Sequence, residues 1–272
     1  MANLEPLIQS IPVAPLKLAS LEGCRTLADQ VNNYLVSFRH ESPTNVGQAD
    51  SLQGYCADSY LLECECPRFG SGEGKGVLKE SVRGCDLFIM VDVTNYSLTY
   101  RVNGYENHMS PDNHYQDLKR IISAADGKAR RINVIMPFLY EGRQHKRSKR
   151  ESLDCALMLQ ELVDMGVSNI LTFDAHDPRV SNSIPLHGFD SFMPTYQFLK
   201  ALVNSVPDFV IDNDHLMIIS PDEGAMGRAV YFSNILGVDM GMFYKRRDYS
   251  TVVNGKNPIV AHEFLGDDVK GK

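Results

Sequence analysis

The stretch from Ile132 to Asp177 constrains the fold most, because it places a helix between two apolar strands and inserts a dense cluster of cations. Asn133-Val-Ile-Met136 reads as a short buried strand, ended by Pro137, which has no amide hydrogen to give to a ladder. The loop Tyr140–Arg150 follows. Five Lys/Arg fall within residues 143–150 of a chain whose formal net charge is -7, so the local field is positive where the global one is negative. From Ser152 to Met165, the residues Leu153, Ala156, Leu157, Leu159, Leu162 and Val163 keep helical spacing, and Gly166 is placed for a left-handed C-terminal cap. The next strand, Asn169–Phe173, delivers Asp174-Ala-His-Asp177 to a sheet edge. Strand, crossover helix and strand imply a parallel sheet, whose ligands gather beyond the carboxyl ends of its strands.

A chain of 272 residues, 43% of them hydrophobic, can bury one large core or two modest ones. Its start is a poor signal peptide, broken by Pro6, Pro12 and Pro15. No apolar run approaches the roughly 20 residues of a membrane span. The six cysteines are scattered and read as reduced thiols of a cytoplasmic protein. Cys64-Glu-Cys66 reads as small apolar residues at alternate strand positions in preference to a metal pair.

Along the rest of the chain, Pro15–Ser20 predicts an opening strand, and Leu27, Ala28, Val31 and Leu35 predict a helix. Residues 40–53 read as a surface loop. Tyr60–Cys66 predicts one strand running into a glycine-rich turn, Pro67–Gly76, a hairpin or lid. Leu87–Val91 is a continuous apolar strand. Asn95–Asn113 shows no clear period, Gln116–Ala125 returns to helix, Asp177–Ser191 reads as loop, and Thr195–Val206 as helix. Further on, His215–Ile219 and Val238–Tyr244 predict strands, with a helix between them running through Leu236.

Charged groups sit just past three apolar strands: Asp174 with His176, Asp222, and Lys245 with Arg247. In an extended segment Asp174 and His176 point the same way and suit a divalent ion that also takes phosphate oxygens, Mg2+ above all, although a polar loop explains the tetrapeptide equally well. Ser220-Pro221-Asp222-Glu223 has the form of a capping box, a helix start that needs no ligand but attracts phosphate. Lys245-Arg246-Arg247 is either a solvated turn or a set of cations for charge developing on a transferring phosphoryl group. Net negative charge weighs against nucleic acid as the partner of the basic loop.

In this order, Phe69-x-x-Gly72-Glu73, Ser81-Val-Arg-Gly-Cys-Asp86, Tyr140-x-x-Arg143-Gln144, Asp174-x-His176, Ser220-Pro-Asp222 and Lys245-Arg-Arg247 resemble the ribose-phosphate pyrophosphokinase family. The resemblance implies an α/β protein of two phosphoribosyltransferase-type domains with mainly parallel sheets, residues 1–192 and 193–272, the second truncated. It implies transfer of pyrophosphate from ATP to ribose 5-phosphate with magnesium, in a homo-oligomer without nucleic-acid or membrane partners. By the same resemblance Arg143 and Gln144 contact adenine and phosphate, and Phe69 and Glu73 reach the adenine from a neighbouring subunit. His176 and Asp222 are magnesium-linked, Asp174 supports His176, and Lys245 and Arg247 meet transition-state charge.

Three departures qualify it. Ser71 and His145 stand where the family has acids. The family's ribose-phosphate loop, two acids after an apolar strand and before a Thr/Ser/Gly-rich turn, does not occur in this sequence. Asp267-Asp268 lacks that context. A non-catalytic relative that assembles with active subunits is therefore the alternative. A plain phosphoribosyltransferase, which needs the same loop, stands further off.

Overall fold

The computed structural model describes residues 12–41, 54–247, 250 and 259–272, with side chains left out at 245–247 and 259–262. Contacts divide the chain into two units, 1–193 and 194–272. Most of the expected loop at 40–53 lies outside the described residues.

The first unit is built on six parallel strands: β1 (Leu16–Ser20), β2 (Leu61–Leu62), β5 (Asp86–Met90), β8 (Arg131–Ile135), β9 (Val167–Phe173) and β10 (Gly188–Phe192), ordered β10-β9-β8-β5-β1-β2. Helices α1 (Arg25–Glu41), α2 (Pro111–Ala124) and α3 (Asp154–Asp164) cover it. Side chains that alternate along the strands feed two cores. Leu87 and Ile89 pack with Leu118 and Ile121 of α2 and Leu159 and Leu162 of α3, whereas Leu18 and Met90 pack with Cys24 and Ala28 at the start of α1. From β1 the chain moves outward to β2, then returns to the other side of β1 and proceeds outward from β5. The order therefore reverses between β1 and β5.

A buried polar ladder fixes the register across four strands. Asp86 accepts from Arg131 Nε at 2.8 Å and from Asn133 Nδ2 at 2.7 Å, and Asn133 Oδ1 accepts from Asn169 Nδ2 at 2.6 Å. Asn169 in turn needs Gly188 beside it, since a Cβ there would lie 2.0 Å from its Oδ1. Each buried polar group finds a partner only in this alignment, which a slip of one residue would destroy.

Several expectations are corrected. Tyr60–Cys66 is not one strand: it breaks at Glu63, so that β2 joins the main sheet while β3 (Cys64–Glu65) turns to pair antiparallel with β4 (Val77–Leu78). The stretch without a period holds a hairpin, β6 (Thr99–Val102) and β7 (Tyr105–His108), turning at Asn103 (φ 49°) and Gly104 (φ 87°). The helix expected at Gln116 starts at Pro111, where Ser110 caps it by accepting from Asn113 N. The region 177–191 is not simply loop, since it contains a 3-10 turn, Pro178–Ser183, and the edge strand β10.

The second unit contains α4 (Thr195–Ser205), α5 (Met226–Leu236) and a sheet β11-β12-β13 of Ile218–Ser220, Met240–Arg247 and Ile259–Leu265, parallel then antiparallel. His215 is not in a strand, because Asp212 Oδ1 draws both its backbone N and its Nδ1 into a turn. Lys245 to Arg247 lie within β12, not beyond its end. No helix of the described residues is long and apolar enough to cross a membrane.

Candidate functional site

The basic loop and the 174–177 turn leave adjacent strands, β8 and β9, at their carboxyl ends. Beyond β8 the chain tightens: Gly142 N bonds Leu139 O at 3.1 Å, Gln144 N bonds Glu141 O at 2.8 Å, and Glu141 takes the left-handed conformation, φ 54°. Burial, with the charges of Asp154 and Asp112, raises the Glu141 carboxyl above its ordinary range. Gln144 closes the loop on itself: its Nε2 donates to Ser152 O at 2.7 Å and Lys146 O at 3.3 Å. Its amide nitrogen is thus a staple of loop shape. Arg143, Lys146, Arg147, Lys149 and Arg150 are exposed, and none has an ion-pair partner among the described residues. That leaves an unneutralised positive rim suited to a polyanion.

The 174–177 turn is not an extended segment. Asp174 has φ 43° and its amide bonds Phe192 O at 2.9 Å, so the period-two geometry that would aim Asp174 and His176 together is absent. His176 instead lies beside His145, with ring centroids 5.1 Å apart. His145 Nδ1 is 3.2 Å from Arg143 O, and its Nε2 is 3.6 Å from Asp177 Oδ2. Asp177 also takes Arg179 Nε at 2.9 Å and Arg179 N at 3.0 Å, and the guanidinium above all holds its carboxyl well below the usual range. The sequence reading set Asp177 at the sheet edge without a role and passed over Arg179, although the Asp-Pro-Arg order of a 3-10 start was visible.

Phe69 and Glu73 share one tight loop: Phe69 N bonds Glu73 O at 2.7 Å, and Ser71 Oγ donates to Glu73 Oε2 at 2.9 Å. Phe69 is 55% exposed. No hydrogen bond or ring contact among the described residues joins these two to Arg143, Gln144 or His176. In the second unit Asp222, not Ser220, is the cap, accepting from Ala225 N at 3.1 Å, while Ser220 Oγ donates to Asp222 O. The side chains of Lys245 and Arg247 lie outside the described residues. No group of three His, Cys, Asp or Glu among the described residues is spaced to hold a metal by itself.

Residues 16–166 match the profile of the N-terminal domain of ribose phosphate pyrophosphokinase. The chain belongs to the ribose-phosphate pyrophosphokinase family. The ribose-phosphate pyrophosphokinase of Staphylococcus epidermidis is 27% identical over 203 residues, 73% of this chain and 57% of that protein. That of Thermosipho africanus is 30% identical over 216 residues, 75% of this chain and 62% of that protein. The chain thus spans little more than half the length of such relatives. The crystal structure of phosphoribosylpyrophosphate synthetase from Mycobacterium smegmatis superposes with a TM-score of 0.64 at 21% identity, covering 90% of this chain and 67% of that one, which shows the shared fold.

Proposed function

We propose that this chain serves the magnesium-dependent transfer of the β,γ-diphosphoryl group of ATP to the anomeric hydroxyl of ribose 5-phosphate. The anomeric oxygen bonds to the β-phosphorus, the bond from that phosphorus to the α,β-bridging oxygen breaks, the hydroxyl proton is lost, and AMP departs. The observation that carries this reading is the clasp of the unneutralised basic loop to the turn bearing Asp174 and His176 through His145 and Asp177.

In this reading Arg143 pairs with phosphate, while Gln144 Nε2 keeps the loop in shape. The adenine lies against Phe69 and Glu73 of a neighbouring copy, which the exposure of Phe69 favours and which makes the working form a homo-oligomer. Magnesium keeps most of its waters and takes phosphate oxygens, and His176 and Asp222 are the residues that would each offer it a donor when it arrives with the nucleotide. When bound it neutralises charge on the transferring group. Lys245 and Arg247 supply further positive charge as the bond to AMP breaks.

The test is AMP release by this chain given ATP, magnesium and ribose 5-phosphate. Release that needs all three and is lost in Lys245→Ala supports the reading. Hydrolysis of ATP indifferent to ribose 5-phosphate contradicts it. A second reading is a binding relative that assembles with active subunits. It would bind ATP, release no AMP, and change the rate of an added synthetase.

A further inference from the structure

An open α/β sheet offers an enclosed ligand position where its strand order reverses, beyond the carboxyl ends of the two central strands. Here that crevice lies beyond β1 and β5, and none of the residues assigned above to nucleotide, metal or acceptor lines it. A cavity of about 450 Å3 fills it, within the range of small-molecule sites, about 300–1,000 Å3. Asn95, in the loop after β5, donates its Nδ2 to Gly23 O, in the loop after β1, at 3.3 Å, and so ties the two sides of the crevice together.

The walls are rigid and polar. Arg68 grips Asp117 with both terminal nitrogens, at 2.6 and 2.7 Å, Arg120 adds a third bond at 2.6 Å, and the Asp117 side chain is only 7% exposed. The Arg68 guanidinium lies 5.4 Å from the centroid of the Tyr100 ring, steadying that ring in the lining beside Leu98 and Met109. His114 is 2% exposed and its Nε2 is 2.6 Å from Asn95 O.

Charge decides the ligand. Asp117 is answered by Arg68 and Arg120, and Glu65 by Lys79 at 2.6 Å. That leaves Arg25 and Arg101 without ion-pair partners among the described residues, against one carboxylate in the same condition, Glu22. The lining's formal charges balance, but among its unpaired groups cations outnumber carboxylates two to one, beside an aromatic and apolar wall.

We infer that this crevice is a second binding site, for a small phosphate monoester bearing a planar or apolar group. Arg25 and Arg101 take the phosphate, and Tyr100, Leu98 and Met109 receive the organic part. The site is independent of the diphosphoryl-transfer reading.

Phenyl phosphate is the probe, because it has the required chemistry and no part in that reaction. Calorimetric titration into the whole chain is expected to give one saturable site. Arg25→Ala and Arg101→Ala each weaken it about tenfold or more, Glu22→Gln tightens it severalfold, and Arg143→Ala leaves it unchanged. Uncharged phenol does not saturate the site. Arg25 and Arg101 are exposed, so an unchanged melting temperature accompanies both substitutions. Absence of saturable binding, affinity in both arginine variants equal to the parent's, or loss of binding in Arg143→Ala would overturn the inference. The last result would move the phosphate to the basic loop.

Discussion

His145 Nε2 stands 3.6 Å from Asp177 Oδ2, and this contact joins the loop after β8 to the turn after β9. His145→Ala is expected to leave the fold intact while loosening the pair of loops. The cost should be on the order of 1 kcal/mol, a loss of about fivefold in ATP affinity. Binding isotherms of the variant and the parent check it, and equal affinities would show that the contact does not order the loop.

The Asp177 carboxyl is held well below its ordinary range by Arg179 first and His145 last. A depressed acid stabilises the fold fully above its unfolded pKa, about 3.9, and that contribution fades as pH falls through the folded value. Asp177→Asn should therefore lower stability at neutral pH and narrow its difference from the parent in strong acid. Melting curves recorded from pH 7 downward measure the gap, and a gap that widens toward acid would reverse the sign.

Gly188 accommodates Asn169 in the polar ladder, since an added Cβ would meet Oδ1 at 2.0 Å. Gly188→Ala should cost about 1–3 kcal/mol through overpacking. Asp86→Ala, which strands Asn133 and Arg131, should cost about 3 kcal/mol or more. Urea denaturation of the two variants compares them, and an unperturbed midpoint for Asp86→Ala would remove the ladder from any role in stability.

The strands β1, β5, β8 and β9 were legible because each is a short apolar run with a clear stop, and a doubly covered parallel sheet demands that pattern. What was not legible depends on partners distant in sequence. The β6–β7 hairpin carries the signal Asn103-Gly104, yet only β6 alternates half-buried residues, Tyr100 and Val102, with exposed ones, while β7 half-buries only the polar Asn107, too faint an apolar period to register. Strand β10 exists only because β9 offers it an edge. The nature of the cations in the basic loop was plain in the sequence. That His145 and Asp177 clasp the loop to its neighbour was not, for they are thirty-two positions apart and meet only after β8 and β9 pair.

Burial pushes the thiols of Cys24 and Cys66 up to about 12 and those of Cys64 and Cys155 to about 11, so all four are protonated at pH 8. Iodoacetamide should leave them unmodified in the native chain and label them only on unfolding. Mass spectrometry after timed labelling reads this, and rapid native modification of Cys155 would contradict the packing of α3.

The central claim is that the Tyr140–Arg150 loop and the Asp174–Arg179 turn form one nucleotide site. Titration of ATP into this chain, with magnesium and with a chelator, alongside Arg143→Ala, tests it most directly. One magnesium-dependent site, weakened about tenfold or more by Arg143→Ala, is the predicted result. No binding, or binding indifferent to Arg143, would contradict it.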